Sequence, residues 1–212
     1  MSRGLLITFE GGEACGKSTQ VGLLTDRLRS LGRTCQVLRE PGGTPLGEKI
    51  RHLVKHDPDG IGMATVAELL LMNASRAELV HRVIRPALER GEVVVCDRFY
   101  DSTVAYQGYG RGLNLPMVEQ VIAAAVGEVR PQLTLWLRVA AEEAARRLVK
   151  RQEVGDRFEA EKAAFFERVE QGYAAVAARE PQRFVPINAG GTPDEVHARI
   201  WARVEALEAA ES

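Results

Sequence analysis

Short apolar runs alternate along the chain with longer segments whose apolar positions recur every three or four places. The run LLITFE (5–10) is apolar at consecutive positions, as a strand buried on both faces requires. CQVLRE (35–40), VVVCD (93–97), LTLWLRV (133–139) and RFVPIN (183–188) read as four more strands. Val21, Leu24 and Leu28 mark a helix from Lys17 to Leu31, and Thr44-Pro45 offers the cap and first-turn proline of another. A helix over about 64–89 is expected to be interrupted near Pro86. Further helices are expected over 115–127, 141–151, 159–179 and 193–209, the last opening on the capping box Thr192-Pro193-Asp194-Glu195. This order predicts an α/β fold, a five-stranded parallel sheet with helices on both faces. Its ligands should bind beyond the carboxyl ends of the strands.

The first strand runs into Gly11-Gly12-Glu13-Ala14-Cys15-Gly16-Lys17-Ser18-Thr19 and then into a helix. That is the strand–loop–helix setting in which GxxxxGKS cradles the phosphates of a nucleotide with its backbone N–H groups. Lys17 is expected to reach the β- and γ-phosphates of ATP, and Ser18 to offer its hydroxyl to Mg²⁺. Asp97 ends the third strand, where a carboxylate approaches the same ion, often through water.

Composition narrows the setting. The 212 residues suit one kinase domain spanning 1–212, and a net charge of −1 gives no general basic field for nucleic acid. Three cysteines without a CxxC pair fit a reducing cytoplasm and argue against a zinc site. No apolar run approaches the ~20 residues of a membrane span, and the N-terminal apolar segment is too short for a signal peptide. No asparagine begins the NKxD motif of a guanine-reading switch protein, and DPDG (57–60) reads as a turn. A kinase for a phosphorylated acceptor instead needs arginines near a second anion. Arg39 ends the second strand, Arg98 directly follows Asp97, and Arg51 and Arg76 lie on helices.

FEGGEACGKST, REPGGT, DRFYDSTVAYQGYGRG and RPQLTLWL, in this order, resemble the bacterial thymidylate kinase family of nucleoside-monophosphate kinases. The resemblance covers about residues 5–190 and implies transfer of the ATP γ-phosphate to dTMP. It implies that Arg39 and Arg98 bind the acceptor phosphate with Arg51 helping, and that Arg76, Gln107 and Ser102 read thymine. Tyr106 would crowd the sugar 2′ position, and Glu13 would approach the acceptor sugar or the metal. Adenine would lie between a lid arginine and Asn188-Ala189-Gly190. The family is typically homodimeric, and the apolar 64–90 helix is the expected interface. One position departs: an aromatic residue usually stands where this chain has Met72. Methionine can pack on the base, or another ring such as Phe99 can stack there.

EEAARRLVKRQEVGDRFE (142–159) is the most basic stretch. Glu142 and Glu143 precede Arg146 and Arg147 at helix-pair spacing, whereas Lys150 and Arg151 have no such acids. By resemblance this is a mobile lid at about 146–158. Some family members carry an arginine inside the phosphate loop and others deliver it from the lid. The loop here has none, so Arg151 is the expected main cation, with Lys150, Arg147 and Arg157 supporting. Arg151→Ala is therefore expected to lower kcat by ~10³-fold, far more than it raises KM for dTMP. Near-normal turnover in steady-state kinetics rules Arg151 out.

Overall fold

The structure is a computed structural model that describes residues 4–140, 142–144, 146–147, 157–158 and 161–211. Strands β1 (Leu5–Glu10), β2 (Cys35–Arg39), β3 (Val93–Asp97), β4 (Leu133–Arg138) and β5 (Phe184–Asn188) form one sheet in the order β2-β3-β1-β4-β5. Every pairing is parallel, so all carboxyl ends share one edge. Register then places Phe9, Asp97 and Arg39 side by side at that edge.

The consecutive apolar residues of β1 and β3 serve two cores. Leu5, Ile7, Phe9, Val93 and Val95 pack on one face against α1 (Lys17–Ser30) and the C-terminal helix. Leu6, Val94 and Cys96 face the other, larger core, beneath α3 (Thr65–Leu79), α6 (Leu115–Val126) and α7 (Ala163–Arg179). The C-terminal helix, α8 (Pro193–Glu211), starts with the expected reciprocal cap: Thr192 N–H donates to Glu195 Oε2 at 2.8 Å, and Glu195 N–H to Thr192 Oγ1 at 3.3 Å. In α2 (Pro45–Lys55) the hydroxyl of Thr44 accepts from Gly47 N–H at 2.9 Å.

Three elements differ from their sequence-based bounds. The irregularity in the long helix is a π-helical turn, Val80–Ile84, that precedes Pro86; α4 (Arg85–Glu89) follows it. The proline sits at the start of α4, where its missing N–H costs little. The 159–179 helix is described from Ala163, where α7 starts. The stretch after β3, assigned no helix from its sequence, is α5 (Tyr100–Thr103) continued by a π-helical segment, Val104–Gly110. Gly172 of α7 lets that segment approach, since a Cβ there would lie 2.8 Å from the Cα of Ala105. A wide turn of this kind rotates its residues relative to an α-helix and often marks a functional site. Here it carries Tyr106 and Gln107.

Candidate active site

Two adjoining cavities open at the carboxyl edge of the sheet. The first, of about 730 Å³, is lined by Glu13 through Ser18, Arg39, Glu40, Arg51, Lys55, Asp97 and Arg98. Five of those side chains are cationic and three acidic, a balance suited to a polyanion. Ser18 and Asp97 thus share one cavity although they are far apart in the chain. Gly16 caps α1 without a side-chain hydrogen bond, and the first turn holds no acid, so its N–H groups are left for an anion. Gly11 is required by close packing: its φ is +138°, and a Cβ would lie 2.4 Å from the carbonyl oxygen of Leu137. Lys17 Nζ donates to the carbonyls of Gly11 at 3.1 Å and Gly12 at 2.9 Å, and so curls over the loop. Cys15 is buried and its thiol donates to Gly12 O at 3.1 Å, which fits a packing role. Thr19 is exposed on α1 and does not line the cavity.

The second cavity, of about 520 Å³, is more apolar in its walls. It is lined by Pro41, Met72, Arg76, Ser102, Thr103, Tyr106, Gln107 and Phe158, together with Glu13, Glu40, Lys55 and Arg98 from the first cavity. Met72 therefore lies in the pocket wall. Phe99 does not: it is fully buried beside Tyr100, and the aromatic walls are Tyr106 and Phe158, edge-to-face with centroids 6.0 Å apart. Arg76 lines the pocket with its guanidinium engaged. Nε donates to Glu40 Oε2 at 2.8 Å, and Nη1 to Asn73 Oδ1 at 2.8 Å and Thr103 Oγ1 at 2.9 Å. Nη2 lies 2.7 Å from Glu40 Oε2 and donates to Phe99 O at 3.3 Å. Glu40 Oε1 is buried without a hydrogen-bond partner among the described residues. Burial raises the Glu40 carboxyl, with Arg76 opposing.

Arg98 belongs to both cavities and stands at φ +71°, a left-handed conformation unusual for a side chain of its size. Nη1 donates to Ser102 Oγ and Tyr173 OH, each at 3.1 Å, and Nη2 to Tyr106 OH at 3.3 Å. Beneath it lies Glu10, wholly buried, which accepts from Phe99 N–H at 2.8 Å, Ser102 Oγ at 2.6 Å and Tyr173 OH at 2.8 Å. Burial pushes the Glu10 carboxyl up to about 7, against the pull of Arg98, whose Nη1 is 3.9 Å away.

The other anticipated residues fall into three groups. Arg39 lines the first cavity but is half-exposed and paired with Glu48 at 3.0 Å, while Arg51 donates to Pro41 O at 3.0 Å. Arg147 spans the phosphate loop and the turn after β5, donating to Ala14 O at 3.4 Å and Ala189 O at 3.2 Å. In that turn Asn188 Oδ1 accepts from Gly190 N–H at 2.9 Å. Glu143 rather than Glu142 pairs with both Arg146 and Arg147, at 2.5 and 2.9 Å. Arg157 does not line the phosphate cavity and donates to Val54 O at 2.9 Å and Glu68 Oε2 at 2.6 Å. Lys150 and Arg151 lie outside the described residues.

Sequence reasoning missed Glu10, Lys55, Phe158 and Tyr173. FEGG places Glu10 at a strand end, a signal as strong as the one used for Asp97. Nothing local marks the other three.

The family model for thymidylate kinase matches residues 9–200 of this chain. A thymidylate kinase of Synechococcus sp. (strain JA-3-3Ab) is 53% identical over 201 residues, with 95% of each chain covered. One from Deinococcus radiodurans is 48% identical over 204 residues, covering 96% of this chain and 98% of the relative. The crystal structure of thymidylate kinase from Ehrlichia chaffeensis superposes with a TM-score of 0.78 at 30% identity, over 95% of this chain and 99% of the other.

The Glu10 geometry carries a pH signature. The folded protein retains a proton that the unfolded chain has released, so this group's contribution is full below about 4.5 and is lost as pH rises to about 7. The loss amounts to about 3 kcal/mol for a shift of this size. Denaturant titrations at about pH 4.5 and about pH 7.5 should show that fall in the parent protein and a flatter profile in Glu10→Gln. Equal profiles would show that Glu10 is charged throughout.

Proposed function

We propose how the two cavities divide the work from one premise: the chain belongs to the thymidylate kinase family, and it phosphorylates dTMP with ATP to give dTDP. ATP takes the cavity formed by the phosphate loop, and dTMP takes the cavity walled by Met72, Arg76, Tyr106 and Gln107. The supporting observation is that Arg98 lines both, so one cation sits where the γ-phosphate and the acceptor phosphate must meet. A phosphate monoester is largely ionised at neutral pH, so attack needs no general base. An acceptor oxygen displaces ADP in line, without a covalent enzyme intermediate. Lys17 and Arg98 hold the phosphoryl oxygens and offset their charge, and an arginine from the lid at about 146–158 completes the set. Arg39 and Arg51 assist at the acceptor phosphate. Ser102 acts chiefly on Arg98 and Glu10, and Tyr106 walls the sugar.

Ser18 and Asp97 would hold Mg²⁺. Both offer hard oxygen donors to one cavity, and the described residues contain no cluster of three or more His, Cys, Asp or Glu that could hold a metal unaided. That suits an ion whose remaining sites are filled by phosphate oxygens and water. Bound there, it neutralises charge on the transferring phosphates. Arg147 and Asn188-Ala189-Gly190 frame adenine, since Arg147 already joins that turn to the phosphate loop.

No helix among the described residues is long and apolar enough to cross a membrane. The three cysteines are free and buried, in keeping with a reducing cytoplasm. Leu46 on α2 with Val66 and Leu70 on α3 are exposed, and a second copy of this chain is the partner we propose for that face.

Two measurements test this reading. ADP release from ATP should depend strongly on dTMP, and Met72→Phe should keep or lower KM for dTMP. Acceptor-independent hydrolysis, or a large loss on Met72→Phe, would mean that the cavities are wrongly assigned. In light scattering the protein should be a dimer that Leu70→Glu converts to monomer; a monomeric parent protein removes the interface.

A further inference from the structure

Glu68 lies on α3, outside the phosphate chemistry, and is 1% exposed. Its carboxylate is crowded with donors. Oε1 accepts from Gln107 Nε2 at 2.8 Å and Arg111 Nε at 3.2 Å; Oε2 accepts from Arg111 Nη2 at 3.1 Å and Arg157 Nη2 at 2.6 Å. Burial alone raises this carboxyl, but the bonds from Arg111, Gln107 and Arg157 outweigh it and hold Glu68 below the usual carboxylate range. An ionised carboxylate only accepts hydrogen bonds. Gln107 can therefore meet it only with its NH₂ end, so the choice between the two amide orientations is made by chemistry. With Nε2 held on Glu68, the amide oxygen is the acceptor that Gln107 can offer to the second cavity, which it lines.

We propose that Glu68 is a specificity-positioning residue: by fixing the Gln107 amide with its oxygen toward the pocket, it makes the enzyme demand a hydrogen-bond donor on the edge of the acceptor base. Thymine and uracil carry such a donor at N3. Cytosine carries an acceptor there and would face the Gln107 oxygen with lone pair against lone pair. Leaving both acceptors unpaired in a buried site is costly, which is how a polar pocket rejects a near-isostere. Arg111 has a supporting role. It keeps the carboxylate charged, and its second arm pairs with Glu161. The inference rests on the acceptor-pocket reading above, because Gln107 must face the base for its orientation to matter.

The test compares kcat/KM for dTMP and dCMP. A neutral amide at position 68 can accept or donate, so Glu68→Gln frees Gln107 to turn over. The dTMP-to-dCMP ratio should fall on the order of tenfold. Glu161→Gln, which alters a partner of Arg111 and no printed contact of Glu68, should keep the ratio. An unchanged ratio in Glu68→Gln overturns the proposal, as does an equal fall in Glu161→Gln, which would mark general loosening. Gln107→Leu tests the pocket itself. If it leaves KM for dTMP unaltered, the pocket assignment fails; if KM rises while Glu68→Gln keeps its ratio, only the role of Glu68 fails. Should Glu68→Gln not fold, a crystal structure of the parent protein with dTMP decides. Gln107 Oε1 within hydrogen-bond distance of thymine N3, with Nε2 still on Glu68, supports the proposal. A broken Glu68 contact overturns it.

Discussion

Arg98 lines both cavities, and the side chains around it are arranged to hold it there. A full carboxylate partner would spend its charge before substrate arrived. The fold instead supports it with the hydroxyls of Ser102, Tyr106 and Tyr173, and sets Glu10 behind them at 3.9 Å. Burial raises the Glu10 carboxyl to about 7, so near neutral pH it is only partly ionised. The guanidinium is thus oriented while much of its field stays available to anions. Sheet register makes the arrangement possible. Phe9 pairs with Asp97, so Glu10 and Arg98 emerge together from adjacent parallel strands.

The second cavity follows a different electrostatic rule. Arg76 and Glu40 form a buried pair, and Glu68 gathers Arg111 and Arg157. These charges are matched, so they act mainly as rigid polar walls. Breaking one partner would leave the other buried and uncompensated, which is far more costly than the pair itself is stabilising. The π-helical segment then projects Tyr106 and Gln107 between these walls. The backbone of Arg157 also donates to Lys55 O, so the chain at Arg157 is tied to the helix that borders both cavities.

Much of the donor side was legible in the sequence. Gly11, Gly16, Lys17 and Ser18 form a contiguous loop whose conformational needs are local, and the apolar runs of β1 and β3 announce strands covered on both faces. Asp97 was legible because a strand end is a defined place in a parallel sheet. The acceptor side was legible by type rather than by partner. Arg76 and Gln107 could be named for the pocket. That Arg76 would be bound to Glu40 and Gln107 to Glu68 could not, because those contacts join helices with no periodic relation to each other. The expected stacking alternative, Phe99, proved to be core, and Phe158 took the wall position.

By itself the sequence determined the order of the five strands and the glycine loop that joins the first strand to α1. These depend on neighbours along the chain, where φ/ψ preference, side-chain periodicity and capping act over a few residues. Only the tertiary structure decided that Arg98 would serve two cavities and that Glu10 would be buried beneath it. It also decided that a carboxylate on α3 would orient a glutamine on a π-helical turn 39 residues away. Such properties come from desolvation and from which groups share a cavity, and these exist only once the sheet has brought distant strand ends to a common edge.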